Sequence, residues 1–172
     1  MKTHFKRPFL AAVLAIATAA LPLPSIAGSM TDYLENKIID ALFRGQTYTM
    51  PATIYVSLHT AACSDSSTGT EVSGGSYARV AITSSLANWA GTQSAGSTTA
   101  SSGTGGTTSN NGAATFPAPT ATWGVITHFG LFDASTSGNQ LVCAALTVSK
   151  TVNNGDAAPS FAAGALTFQV DN

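Results

Sequence analysis

The stretch from Trp123 to Leu146, WGVITHFGLFDASTSGNQLVCAAL, constrains the fold more than any other part of this chain. Val125, Thr127, Phe129 and Leu131 alternate with Ile126, His128, Gly130 and Phe132. A period of two marks a strand, and β-branched and aromatic residues suit a pleated surface. Asp133 to Asn139 supplies the Ser, Thr, Gly and Asn of a turn, and Gln140 to Leu146 is apolar enough to return antiparallel. Both faces of this hairpin carry bulky apolar groups, so it belongs in the middle of a sheet covered on both sides. Phe129, Leu131, Phe132, Val142, Leu166 and Phe168 are the expected core.

The flanking segments supply further strands and one helix. In TDYLENKIIDALFRG, Leu34, Ile38, Ala41 and Leu42 form one apolar stripe at helical spacing. The pattern predicts an N-terminal amphipathic helix at about 32–44. Asp32 caps it with Glu35 three places on, Arg44 sits in the last turn, and Gly45 is the C′ residue. The stripe either packs on its own domain or docks a neighbouring subunit. After Met50-Pro51, ATIYVSLHT is a strand with Ile54, Val56 and Leu58 on one face and Tyr55, Ser57 and His59 on the other. EVSGGSYARVAIT places a turn at Gly74-Gly75 and a strand from Tyr77 to Thr83. Asn88 to Ala114 is almost wholly Gly, Ser, Thr, Ala and Asn, which predicts a long flexible loop. Gln93 to Asn111 has little apolar area to bury, so its expected contribution to stability is small. Val148 to Val152, a turn at Asn153 to Asp156, and Leu166 to Val170 add edge or closing strands. The fold class is mainly β, an antiparallel β-sandwich or barrel-like domain.

Length bounds the architecture: 172 residues suit one domain, here 28–172, preceded by a leader at 1–27. Lys2, Lys6 and Arg7 form a positive region, Phe9 to Leu21 an apolar one too short for a comfortable membrane span, and Ser25-Ile26-Ala27 a small-residue cleavage site. That pattern is signal-peptide-like; an upstream extension ahead of a true start at Met30 is the alternative. Residues 30–172 are expected to fold alone, with residues 1–27 a separate, mostly undocked helix. Charged residues are only 9% of the chain and the net charge is -1, which excludes a nucleic-acid footprint, since that needs a clustered basic face.

No catalytic, cofactor-binding or metal-binding constellation is legible. The chain lacks a G-x-S-x-G elbow, an H-E-x-x-H pair, a Walker loop and a C-x-x-C pair. The Gly103 to Gly106 cluster lacks the strand–helix setting of a dinucleotide site. His59 and His128 each lie on a strand between apolar neighbours, where a structural role is the usual one, and Asp133 at a strand end normally serves its turn. Cys63 and Cys143 form one disulfide in an exported chain and stay as buried thiols in a cytosolic one.

TDYLENKIIDALFRG, PATIYVSLHTA, EVSGGSYARV, WG-x-x-THFGLFDA and SFAAGALTFQV, in that order, resemble a family of small bacteriophage tail proteins of the tail fiber or minor tail type. The resemblance runs from about Met30 to Asp171, and Glu71 to Val80 and Trp123 to Asp133 are its most specific parts. The stretch Thr92 to Asn111 is longer than the family's loop there, and the leader is foreign to it. The resemblance carries no catalytic residues and implies no enzymatic activity, no cofactor and a place in the virion tail. It implies a structural role through self-association as a homo-oligomer, or through attachment to other virion proteins; a host-surface ligand stays open as a partner. No membrane span is expected in the mature domain. Capsid decoration asks for the same kind of domain. An exported β-sandwich binding module, secreted or periplasmic after cleavage near Ala27, is the alternative of another class. As a glycan binder it would show Tyr55, Trp89 and Trp123 on one exposed face.

Overall fold

The computed structural model describes residues 14–16 and 29–170. Its centre is the expected hairpin. Strands β8 (Gly124–Phe132) and β9 (Gln140–Val152) pair antiparallel, with Leu131 opposite Val142 and Phe129 opposite Ala144. Strand β3 (Thr53–Ala61) lies on the other side of β8, with Leu58 opposite Phe129. Short strands complete a six-stranded sheet: β2 (Ser29–Met30) on the outer edge of β9, and β4 (Thr70–Glu71) and β5 (Val80–Thr83) sharing the far edge of β3.

Strand alternation puts Val56, Leu58, Phe129, Leu131, Val142 and Ala144 on one face, all buried. A three-stranded sheet covers that face: β1 (Leu14–Ile16), β10 (Pro159–Phe161) and β7 (Ala114–Thr115). The Phe161 ring meets Phe129 edge-on at 5.4 Å, and Phe116 lies 6.3 Å from Phe161. These aromatics join the two sheets into one core, and burying each is worth about 2–3 kcal/mol. A third, two-stranded sheet pairs β6 (Thr107–Ser109) with β11 (Thr167–Gln169). Of the expected core residues, Phe129, Leu131, Phe132, Val142 and Leu166 are buried, and Phe168 packs partly buried against them.

Several elements differ from the sequence expectation. Strand β9 does not end at Leu146 but runs on to Val152: an irregularity takes up the exposed Thr147 to Ser149, and pairing with β8 resumes at Lys150 opposite Ile126. The strand expected from Tyr77 begins only at Val80; Tyr77 and Arg79 turn aside to bond Glu71. Helix α1 (Asp32–Phe43) has Thr31, not Asp32, at its N-cap, and the Thr31 hydroxyl donates to the Gln140 carbonyl across the fold instead of capping the helix. Gly45 does take the left-handed conformation, at φ +67°, that ends helices.

The long Gly/Ser/Thr segment is more ordered than its composition predicts. Thr107 to Ser109 forms β6, Trp89 bridges Asn110, and Asn110 is 1% exposed. Its amide donates to the Gly112 and Ala162 carbonyls at 2.7 and 2.8 Å and accepts the Leu166 N–H at 2.7 Å. Side-chain amides here do what apolar area does elsewhere.

Within the leader, Leu14–Ile16 is extended and pairs with Pro159–Phe161, where a helix was expected; the rest of the proposed signal, 1–13 and 17–27, lies outside the described residues. Among the described residues no helix is long and apolar enough to cross a membrane.

Candidate functional site

The second face of the six-stranded sheet is polar, and it is buried too. Ser57 and His59 on β3, Gly130 on β8 and Gln140 on β9 share it, with Ser57, His59 and Gln140 at 0%, 0% and 5% exposure. Gly130 is required there. A Cβ at that position would stand 2.7 Å from Gln140 Nε2 and 2.8 Å from Ser57 Oγ.

Two structures cover this face. The first is a knot around Arg79. Its guanidinium lies 3.6 Å over the Phe132 ring, holds both Glu71 oxygens at 2.7 and 2.8 Å, and donates to the Ala134 and Ser137 carbonyls of the β8–β9 turn. Tyr77 donates its hydroxyl to Glu71 at 2.9 Å. Burial alone would raise the Glu71 carboxyl, but the Arg79 and Tyr77 bonds outweigh it and hold it below its ordinary value. The segment EVSGGSYAR is therefore a clamp that fixes the hairpin turn against the far edge of the sheet.

The second cover is the loop after β3. A disulfide between Cys63 and Cys143, with Cα atoms 5.9 Å apart, pins it to β9. Of the two states open to these cysteines on sequence, the folded chain brings them into bonding position. Beyond Cys63, residues 65–68 face the start of α1 and the end of the β8–β9 turn, and a cavity of about 320 Å³ opens between them. Gln140 lines its inner side. Both amide atoms of Gln140 lack any hydrogen-bond partner.

The chemistry singled out in the sequence resolves as follows. Ser57 Oγ lies 2.8 Å from His59 Nε2, a nucleophile–base spacing that the S-x-H pattern on one strand face could have signalled. Both groups are sealed from solvent, and the Ser57 hydroxyl also reaches the Gly130 carbonyl at 3.2 Å. A nucleophile must touch its substrate, so this pair is internal scaffolding. Burial lowers the His59 pKa to about 4, so the ring is neutral at pH 7. His128 lies opposite His59 across the β3–β8 pair, half-buried, with its Nδ1 2.9 Å from the Thr127 hydroxyl. Asp133 accepts from the Asn139 N–H at 2.7 Å and closes its own turn. Among the described residues no three His, Cys, Asp or Glu side chains gather as a metal site. Trp123 is buried and donates to the Gly75 carbonyl at 2.9 Å, so Tyr55, Trp89 and Trp123 do not make one exposed aromatic face.

The surface offers one other feature. Helix α1 buries none of its residues completely. Tyr33 and Leu34 pack against the core, but Leu42 is 70% and Phe43 81% exposed. Only the first half of the predicted stripe is used internally.

A family model described as podophage GP4 fiber I protein gp80 matches residues 29–169. That span begins at β2 and takes in α1, the clamp, the hairpin and β11, leaving only the leader and the last residues outside it. No curated protein matches the chain.

Proposed function

We propose that this chain, which belongs to the podophage GP4 fiber I protein gp80 family, serves as a non-enzymatic structural part of a tailed-phage virion, joined to copies of itself or to other tail proteins. The observation that carries this reading is the exposed end of α1. Leu42 and Phe43 stand next to each other in water beside half-exposed Ile39, and a contiguous apolar patch of this kind marks a contact surface. The clamp and the disulfide suit the same role, since a part built into an assembly needs a rigid body behind its contact surface.

Light scattering on the purified full chain tests it. The wild type is expected to associate in a concentration-dependent way, or to bind purified tail proteins, and Phe43→Ser together with Leu42→Ser to abolish this without lowering the melting temperature. A wild type that stays monomeric and binds no tail protein refutes the reading.

One observation favours the exported alternative. A disulfide persists in oxidising compartments, and this chain carries both a cysteine pair in bonding position and a signal-like leader. Mass spectrometry of the N-terminus of the protein made in cells decides this point: a mature chain beginning at Gly28 supports passage through the periplasm, and an intact Met1 refutes it.

A further inference from the structure

We infer that the outer edge of β10 is an acceptor for an exchanged arm: in the assembled protein, Leu14–Ile16 of one copy pairs with Pro159–Phe161 of the next. This deepens the self-association reading above and rests on it, but it stands on different residues.

Strand β10 runs between β7 and β1, with Ser160 opposite Thr115 on one side and Ala15 on the other. Strand β7 belongs to the domain, whereas β1 comes from the leader, outside the span 29–169 that the family model matches. Among the described residues, no strand of the domain itself pairs with that second edge of β10. A sheet edge presents N–H and C=O groups to any extended segment that reaches it. What this edge accepts is shown by what it holds. Leu14, Ala15 and Ile16, all uncharged, lie in antiparallel register with Phe161, Ser160 and Pro159.

The arm is tethered loosely enough in length to serve a neighbour. Residues 17–28 separate β1 from β2. A dozen residues reach up to about 40 Å when extended, and a small domain is only about 30 Å across. Pro22 and Pro24 fall in this connection, and the residue before a proline is biased toward extended backbone. The β1–β10 pairing can therefore form within one chain or between two, with the same contacts in both. Exchange of an identical element is a low-cost route to joining protomers. Which form wins depends on concentration: the intramolecular form competes at an effective concentration of about millimolar for a short linker. Copies already held side by side through the exposed end of α1 meet that condition.

Mixed-chain cross-linking tests the exchange. Full-chain Ala15→Cys and isotope-labelled full-chain Ser160→Cys are concentrated together and oxidised; Cys63 and Cys143 are already bonded to each other. Mass spectrometry should find residue 15 of an unlabelled chain joined to residue 160 of a labelled one, in a yield that rises with protein concentration. Ala15→Pro, which removes an N–H from the arm, should weaken association of the full chain at least tenfold by sedimentation, and it decides the matter alone if the cysteine variants do not fold. The inference is overturned if an Ala15→Cys, Ser160→Cys double variant cross-links only within one chain at every concentration, or if no 15–160 bond forms in either arrangement. It is equally overturned if Ala15→Pro associates like the wild type, or if the assembled protein begins at Gly28 and so lacks the arm. Association that persists without a 15–160 bond between chains sinks the arm alone. A chain that stays monomeric at every concentration sinks the self-association reading with it.

Discussion

Reducing the Cys63–Cys143 disulfide should be the most damaging single chemical change to this domain. The two cysteines are 80 residues apart in sequence, so the bond closes a long loop that takes in the clamp, the Gly/Ser/Thr segment and β8. In the chain-entropy treatment, a loop of about 80 residues removes about 15 cal/mol/K from the unfolded chain, or about 4.5 kcal/mol at 25 °C. For a domain of this size, each kcal/mol moves the melting temperature by about 2–4 °C, so reduction should lower it by about 9–18 °C. Both sulfurs are buried, Cys63 at 7% and Cys143 at 5% exposure, so reduction of the native protein should be slow and should speed up as it begins to unfold. Differential scanning calorimetry of the full chain with and without dithiothreitol measures the shift. A Cys63→Ala, Cys143→Ala double variant should melt near the reduced protein and ignore the reductant. If oxidised and reduced proteins melt within about 2 °C of each other, the staple adds nothing that the clamp and the core do not already supply, and the entropic reasoning fails here.

Truncating Phe129 to Ala should cost about 3–5 kcal/mol, since the ring is 1% exposed and edge-on to Phe161; urea unfolding measures it, and a loss under about 1 kcal/mol would mean that the two sheets do not meet there. His59, lowered by burial to about 4 from an ordinary 6.5, binds fewer protons folded than unfolded between those values. Its contribution is complete above pH 6.5 and is lost as pH falls toward 4, about 3 kcal/mol in all; unfolding curves at stepped pH should show this acid slope in the wild type and not in His59→Gln. Asn110→Ala should cost about 3 kcal/mol or more, because it strips partners from the Gly112, Ala162 and Leu166 backbone groups at once. Thermal melts check it, and a change under about 1 kcal/mol would restore the view of this segment as a free loop.

What was legible in the sequence was what hydrophobic periodicity encodes. The central hairpin could be placed because Phe129, Leu131 and Val142 alternate with a second set of bulky residues, and a strand with two apolar faces has nowhere to sit but between covers. Helix α1 was found for the same reason, and its unburied half was anticipated only as an alternative, because a stripe does not say what covers it. Periodicity is silent about the segment around Asn110. Its order comes from one amide that bonds residues 52 and 56 positions away, and an Asn in a Gly/Ser/Thr run looks the same whether it faces water or Leu166. Strand β9 was ended too early for a related reason: exposed residues in a long strand carry no core signal.

Alternation placed Ser57 and His59 on the second face of a sheet expected to be covered on both sides, but it did not say what covers that face. Ser57 and His59 alternate correctly with Val56 and Leu58, yet both sets are buried, because the loop after β3 is folded back over the sheet. That loop is rich in Ser and Thr and has almost no apolar area with which to hold itself down. The disulfide to Cys143 and the backbone bond from Asp32 to the Asp65 carbonyl hold it instead. A cover held by a covalent bond and a few polar contacts need not be complementary to what lies beneath it, and this one is not: it leaves a cavity and an unpaired amide. Cores closed by hydrophobic packing rarely tolerate such a defect. The disulfide therefore bears on this cover as well as on stability: once it is reduced, backbone amides of residues 65–68 should exchange hydrogen faster before the fold is lost, and unchanged exchange there would show that the polar contacts alone hold the loop.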